Sequence, residues 1–297
     1  MASDAGEDAS VESEEEGPSQ LVRCRFCRCP LCSAEDHSGL CGNLERNGLL
    51  EPGSSLALAF RQVDRGDFVP SSEEQAGFAY VDAAIYLDFG AQISAPHVHA
   101  HALRLLFAGS IESDKPAEAP VRILDLGSGS GFACAVLARL LKLLRPTCAE
   151  SRVLAVEHIP ELAERAGANL ALHHEELLAS GFLELRCADA RQVVQDPALR
   201  GRFDFVHCGC AVAPGDEAWL AEALAEGGRA VFPRGLADEP QRLCLLEVKP
   251  GGSWELQDTE VAVLYVPATS EVDQRARGDD WGQVVERCQR SAAAAFA

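Results

Sequence analysis

The chain has 297 residues, of which 47% are hydrophobic, enough to bury one large core, so disorder throughout is excluded. Its 26 basic residues against 46 acidic ones leave a formal charge of -20, which repels a nucleic-acid backbone and an anionic membrane surface alike. No window approaches the roughly 18 consecutive apolar residues that span a bilayer, and the N-terminus is acidic where leader sequences are basic, so a soluble cytoplasmic protein with no nucleic-acid or membrane partner is expected.

The opening stretch MASDAGEDASVESEEEGPSQ has no basic or aromatic residue and almost nothing to bury, and is expected to be disordered. Next, CRFCRCPLCSAEDHSGLC crowds Cys24, Cys27, Cys29 and Cys32 together, with His37 and Cys41 nearby. Zinc sites usually separate two Cys-x-x-Cys halves by about a dozen residues or more, so that the chain can fold around the ion. This spacing fits that geometry badly and favours reduced thiols, or a redox-labile patch, over a bound metal. The other cysteines are scattered through apolar segments, as small hydrophobes are in reduced proteins, and imply no disulfide framework.

LCGNLERNGLL, SLALAFRQVDR and QISAPHVHAHALRLL read as helices of an N-terminal cap. From about residue 120 the pattern becomes regular. VRILDLGSGSG is a strand ending in a glycine-rich turn, and FACAVLARLLKLL follows at helical spacing. RVLAVEHI is a second strand, and PELAERAGANLALHHEELLAS a helix with Pro160 at its start. FLELRCADA and FDFVHCGCAVAP read as third and fourth strands, and EAWLAEALAEGGRAVFPRG as a helix capped by Gly227 and Gly228 that leads into a fifth. Strands alternating with helices require parallel pairing through right-handed crossovers, hence an α/β fold with a doubly wound sheet. QRLCLLEVKP and TEVAVLYVPAT add strands with no helix between them, an antiparallel C-terminal edge.

The chemistry gathers at the carboxyl ends of these strands. Gly127, Gly129 and Gly131, with Ser128 and Ser130 between, let the chain turn sharply and bring bare backbone against a ligand. Glu157, ending the next strand, can accept both hydroxyls of a ribose. Asp125 places a carboxylate near the turn, where it would repel a pyrophosphate yet suit a cation. S-adenosyl-L-methionine, with an ammonium, a sulfonium and no phosphate, matches those charges. Asp189, ending the third strand, is then placed for the adenine amino group.

NLERNGLL, ISAPHVHAHALRLL, ILDLGSGSG, VLAVEHIPEL, GGRAVFPRG and LYVPATSEVDQ stand in the order and spacing of the protein-L-isoaspartate (D-aspartate) O-methyltransferase family, which the chain resembles over roughly residues 40 to 275. The glycine loop is shared by many methyltransferases, whereas ISAPH and YVPAT are specific. The resemblance implies a Rossmann-like class I methyltransferase sheet with an N-terminal helical cap. It implies an activity, S-adenosylmethionine-dependent esterification of the α-carboxylate of L-isoaspartyl residues in damaged proteins. The ester collapses to a succinimide, and S-adenosyl-L-homocysteine is the other product. The chain then divides into a disordered acidic tail and Cys-rich segment (1–39), which has no counterpart in the family, and one methyltransferase domain (40–297) made of a cap with substrate loop (40–119) and a cofactor-binding core (120–297); the resemblance implies a monomer working on varied isoaspartyl polypeptides.

By the same resemblance Ser94 is the catalytic residue, and the cofactor is held by Ala91, Gln92, Ile93, Ser94, His99, the run Gly127 to Gly131, Glu157, His158, Ala190, Arg191, Thr269 and Gln274. Ser94, Ala95 and Pro96 read as a helix start with the hydroxyl as N-cap and free backbone N–H groups as an anion site. His97 and His101 lie four apart and could share a face as metal ligands, but no third ligand is evident, so no metal is expected. The family's usual glutamine and threonine before ISAPH are replaced by Gly90 and Gln92, and CGCAVAP brings Cys208 and Cys210 near the cleft. The competing reading is a methyltransferase-like interaction module of the ubiquitin-ligase adaptor type. Such adaptors carry a long C-terminal extension, and a chain ending at Ala297 is expected to lack it. A third reading is methylation of another carboxylate, for which ISAPH would be an unexpected run.

Overall fold

A computed structural model of the chain describes residues 23–24, 27–72, 76–108, 116, 118–237 and 239–296, so the acidic opening stretch lies outside the described residues. The cap begins with α1 (His37–Arg46) and α2 (Ser55–Arg61), whose first turns are closed by the side chains of Asp36 on the Gly39 N–H and Ser54 on the Ala57 N–H. A 3-10 turn at Arg65–Phe68, a short hairpin of β1 (Ile85–Tyr86) and β2 (Gln92–Ile93), and α3 (Pro96–Phe107) complete it.

The α/β unit then runs β3 (Arg122–Leu126), α4 (Phe132–Leu144), β4 (Arg152–Glu157), α5 (Pro160–His173), α6 (Glu175–Ala179), β5 (Leu183–Cys187), α7 (Ala190–Gln195), β6 (Phe203–Cys208), α8 (Ala218–Ala223), β7 (Leu224–Arg234), β8 (Gln241–Val248) and β9 (Trp254–Val263). Helices α9 (Glu271–Ala276) and α10 (Gly278–Phe296) follow. The 7-stranded sheet has the order β5-β4-β3-β6-β7-β8-β9. Its first five members pair in parallel, and β8 and β9 add the antiparallel edge that the sequence implied. One sheet face packs on α3, α4, α5 and the cap, with Phe60 and Phe68 edge-on to Phe132. The other packs on α7 and α8 through Val193, Val194, Trp219 and Leu220. Among the described residues no helix is long and apolar enough to cross a membrane.

Three local expectations change. Helix α8 stops at Ala223, and Gly227 and Gly228 lie inside β7 rather than capping a helix. The reason is steric: a Cβ on Gly228 would sit 2.9 Å from the Phe203 carbonyl oxygen, so the glycines form an irregularity where β7 shifts register against β6. The long helix expected after Pro160 divides at His174, between α5 and α6. Ala95, not Ser94, is the N-cap of α3, and it makes no side-chain cap bond.

What caps α3 instead is Asp82, fully buried in the loop before β1. Its Oδ1 accepts the His97 N–H at 3.0 Å and His97 Nδ1 at 2.7 Å, while Oδ2 accepts the Cys32 N–H at 2.7 Å. The anion site expected at this helix start is therefore filled by the protein's own carboxylate. Burial acts to raise the Asp82 pKa, but the charge and hydrogen bonds of His97 prevail and hold it below the usual carboxylate range.

Beside Asp82 lies Arg65, also fully buried. It donates to the carbonyl oxygens of Ala79 (3.0 Å), Ser94 (2.8 Å) and Ala83 (3.0 Å), tying the 3-10 turn to both ends of the loop that carries the hairpin. Burial pushes its guanidinium down to about 9, with Asp82 opposing, so the side chain is still charged at pH 7. Arg65→Met leaves three buried carbonyls without donors and Asp82 without its neighbouring cation. We expect a loss of about 3 kcal/mol or more in urea unfolding. A loss below about 1 kcal/mol would mean that the loop is held by other contacts.

Candidate functional site

Strand order reverses at β3, and the crevice at the carboxyl ends of the strands opens there, as in other doubly wound sheets. After β3 the chain turns through Gly127, Gly129 and Gly131, whose φ angles are 72°, 54° and 92°. Only glycine adopts these freely. The turn is pinned to β4 from below: the N–H groups of Gly127 and Ser128 donate to the Val156 carbonyl, and the Gly129 N–H donates to Glu157 Oε2 at 2.9 Å. Glu157 Oε1 accepts the Ile159 N–H at 3.0 Å, so the carboxylate joins two backbone segments. Burial is the leading influence and raises the Glu157 pKa, while those two N–H groups oppose it.

The principal cleft, about 390 Å³, is lined by Ala91, Gln92, Gly127, Gly129, Glu157, His158, Asp189, Ala190, Arg191, Thr269 and Gln274, all of them sequence candidates. Its size falls within the range of small-ligand sites. Asp189 lines it while capping α7, its Oδ1 accepting the Arg191 N–H at 2.8 Å. Arg191 pairs with Asp216 and lies over the Trp219 ring, 5.4 Å from its centre. His158 Nε2 and Gln274 Oε1 are 2.7 Å apart, closing the cleft between β4 and α9. Cys210 lines the same cleft, with Cys208 Sγ 3.4 Å from its own sulfur.

The remaining candidates flank this cleft. Ile93, Ser94, His99, Ser128 and Ser130 surround a small cavity of about 20 Å³ on the other side of the turn, together with His207 and Tyr265. Gly131 lines neither. It is the left-handed N-cap of α4 and packs against Ala166. Asp125 does not reach the cleft either: it is wholly buried beneath the turn, with Oδ1 2.6 Å from His207 Nδ1. His99 is driven well below its ordinary pKa by burial first and then by the charges of Arg65 and its histidine neighbours, so it is neutral at pH 7. Ser94 is buried, its carbonyl held by Arg65 and its hydroxyl side next to Tyr265, whose phenol burial pushes up to about 12.

A third cavity, of about 200 Å³, lies across Ser94 from the glycine turn and is lined by Gln92, Ser94, His97, Cys24, Cys27 and, from α10, Trp281. Composition and spacing had not pointed to Tyr265, Arg65 or α10. The Trp281, Val284, Val285 spacing is the one signal that marks α10 as a packed helix. The departures at Gly90 and Gln92 have structural reasons. Gly90 has φ 71°, and a Cβ there would lie 2.7 Å from the Gln274 carbonyl oxygen, so α9 rests directly on bare backbone. Gln92 donates to the Leu264 carbonyl at 3.1 Å.

A doubly wound sheet with a glycine turn after its first core strand and a carboxylate ending the next is a nucleoside-cofactor fold shared by dinucleotide-binding enzymes and class I S-adenosylmethionine-dependent methyltransferases, and the sequence and structural relatives of this chain put it among the latter. The buried Ser128 hydroxyl, which has no hydrogen-bond partner, and the acceptor-rich Glu157 suit a polar cofactor with ribose hydroxyls. The sequence profile described as protein-L-isoaspartate(D-aspartate) O-methyltransferase matches residues 35–273, and the chain belongs to that family. Protein-L-isoaspartate O-methyltransferase 2 of Arabidopsis thaliana is 35% identical over 237 residues, covering 80% of this chain and 69% of that one. The Caenorhabditis elegans protein-L-isoaspartate O-methyltransferase is 32% identical over 242 residues, or 82% of this chain and 96% of its own. A crystal structure of a protein from Plasmodium falciparum, described as a putative member of the family in complex with S-adenosyl-L-homocysteine, has a TM-score of 0.63 at 26% identity. It covers 80% of this chain and 99% of that one.

The glycine turn also depends on its neighbour after β6. A Cβ on Gly209 would lie 2.9 Å from the Gly127 carbonyl oxygen, backbone against backbone. Gly209→Ala is expected to cost about 2 kcal/mol or more. Gly215→Ala, with φ 92° but nothing within 4 Å, is expected to cost about 1 kcal/mol. Urea denaturation of the two variants checks the order, and equal losses would show that the two turns do not press on each other.

Proposed function

We propose that the protein esterifies the α-carboxylate of L-isoaspartyl residues in damaged polypeptides, with S-adenosylmethionine in the cleft bounded by the glycine turn and Glu157. The ester then collapses to a succinimide, from which hydrolysis regenerates part of the normal aspartyl linkage. The observation that carries this reading is the wall from Gln92 to Ser94. Gln92 borders all three cavities, and Ser94 borders both the small cavity over the turn and the one on the opposite side. Gln92 thus stands between the cofactor cleft and the 200 Å³ cavity, and Ser94 between that cavity and the small one, which supports placing donor and acceptor on opposite sides of this wall.

The bound cofactor supplies an electrophilic methyl group. The chain's part is to position the acceptor and exclude water. A substrate carboxylate is already ionised at pH 7 and needs no general base, which agrees with a neutral, buried His99. Ser94 and the phenol of Tyr265 are neutral hydroxyls able to donate to a carboxylate oxygen and so aim the other one. Glu157 accepts the ribose hydroxyls, His158 and Gln274 close the rim, and Asp189 with the α7 start receives the base. We further propose that the protein works as a monomer in the cytosol, a reducing compartment suited to its free thiols.

Labelled methyl should pass to an isoaspartyl peptide and not to its aspartyl twin. Ser94→Ala should lower kcat/KM about tenfold to a hundredfold with cofactor binding retained. Cofactor binding without transfer by the unaltered chain would instead favour the interaction-module reading. Because burial raises the Glu157 pKa, S-adenosylhomocysteine affinity should fall on acidification while the pH is still above the ordinary glutamate range, as the carboxylate gains a proton and loses acceptor capacity. Calorimetry across pH should find this limb missing in Glu157→Gln, whose affinity is about tenfold weaker at pH 7. An unchanged pH profile in that variant would remove Glu157 from the binding role.

A further inference from the structure

The cysteine-rich segment, whose spacing alone argued against a metal, gains its missing partner from a helix far along the chain. Ligand atoms of Cys24, Cys27 and His97 all lie within 4.8 Å of one another. On a tetrahedral zinc, sulfur and nitrogen ligands are about 3.5–3.8 Å apart, so a small contraction closes this set on an ion. The surroundings of His97 are those of a ligand. Its ring is 3% exposed, Nδ1 is 2.7 Å from Asp82 Oδ1, and Nε2 is buried with no hydrogen-bond partner. With Nδ1 engaged by the carboxylate, Nε2 is the nitrogen left to ligate. A carboxylate behind an imidazole is the arrangement that orients metal-bound histidines and fixes their tautomer.

The thiols are presented by a tight loop. Cys24 N–H donates to the Cys29 carbonyl at 2.8 Å, the Arg28 N–H returns to the Cys24 carbonyl at 3.0 Å, and Arg28 takes a left-handed φ of 62°, a strained choice for a residue with a side chain. The loop is anchored to the histidine through the same acid, since Asp82 Oδ2 accepts the Cys32 N–H. Cys29 lies on the same loop, its Sγ 3.9 Å from the Cys27 carbonyl oxygen, just outside the group of three.

We propose that Cys24, Cys27 and His97, with Cys29 as fourth ligand, bind one zinc ion that fastens the N-terminal segment across the cavity beside Ser94. Three thiolates and an imidazole form a soft donor set, which selects zinc over hard cations such as magnesium or calcium. Binding releases the thiol protons to solvent and leaves no position for a catalytic water, so the ion is structural. Cys24, Cys27 and His97 all line the 200 Å³ cavity, so the ion would stiffen one of its walls.

The test uses the full chain, purified with its thiols reduced. Elemental analysis should find one zinc per chain. Replacement by cobalt(II) should give intense thiolate-to-cobalt charge-transfer absorption, with d–d bands of tetrahedral strength. Cys24→Ser combined with Cys27→Ser should lose the metal and the absorption yet still bind S-adenosylhomocysteine, whose cleft lies elsewhere. Cobalt binding without charge-transfer bands, substoichiometric zinc in reduced protein, or metal retained by the double variant would each overturn the proposal. So would a disulfide linking Cys24 to Cys27 in the reduced preparation. Should the double variant not fold, the cobalt spectrum of the unaltered chain decides alone. None of these readouts involves methyl transfer, so the metal site stands or falls apart from the proposed activity.

Discussion

A buried guanidinium holds the wall from Gln92 to Ser94 in place. Taking Arg65 out of water is expensive, and the structure compensates with three carbonyl acceptors and the nearby charge of Asp82. Because one of those acceptors belongs to Ser94, the position of the partition between the cavities is set by a side chain from the 3-10 turn. Asp82 extends the same arrangement in the other direction, through His97 to α3 and through Cys32 to the cysteine-rich segment. Remove either charge and the other is left desolvated, so the two act as one unit.

The second constraint is geometric. The carboxyl ends of β3, β4 and β5 bring the glycine turn, Glu157 and Asp189 to one crevice because parallel strands must all point the same way. Gly127 and Gly209 meet backbone to backbone, leaving room on the solvent side alone for a ligand. Nearly every polar group lining the crevice is already oriented by a protein partner, as Glu157 is by Gly129 and Ile159 and His158 by Gln274.

The sheet was legible because its signals are local: β-branched runs, a glycine turn and helical spacing each occupy one short contiguous stretch. In the cleft, Gly127, Gly129, Glu157 and Asp189 were legible for the same reason, since they end consecutive strands, whereas Ala91, Gln92, His158, Ala190, Arg191, Thr269 and Gln274 were reached through the family resemblance alone. What escaped was set by distant steric or electrostatic partners. Ser94 looked like a helix cap until Asp82 was seen to occupy that role, and Asp125 looked like a ligand group until β6 supplied His207. Gly227 and Gly228 carry the composition of a helix stop, yet the close approach of the Phe203 carbonyl makes them part of a strand. The thiol loop could not be matched with His97 by spacing, because their proximity is created by the packing of α3 on the cap.

The clasp between His158 and Gln274, together with the seat of α9 on Gly90, makes the rim of the crevice a late event in biosynthesis. A chain leaving the ribosome N-terminus first, at about 5–20 residues per second, exposes its glycine turn and Glu157 well before Gln274 is released. Until then the crevice lacks the Gln274 side of its rim, so the wall that closes it over a ligand is completed only by the last part of the chain to be made.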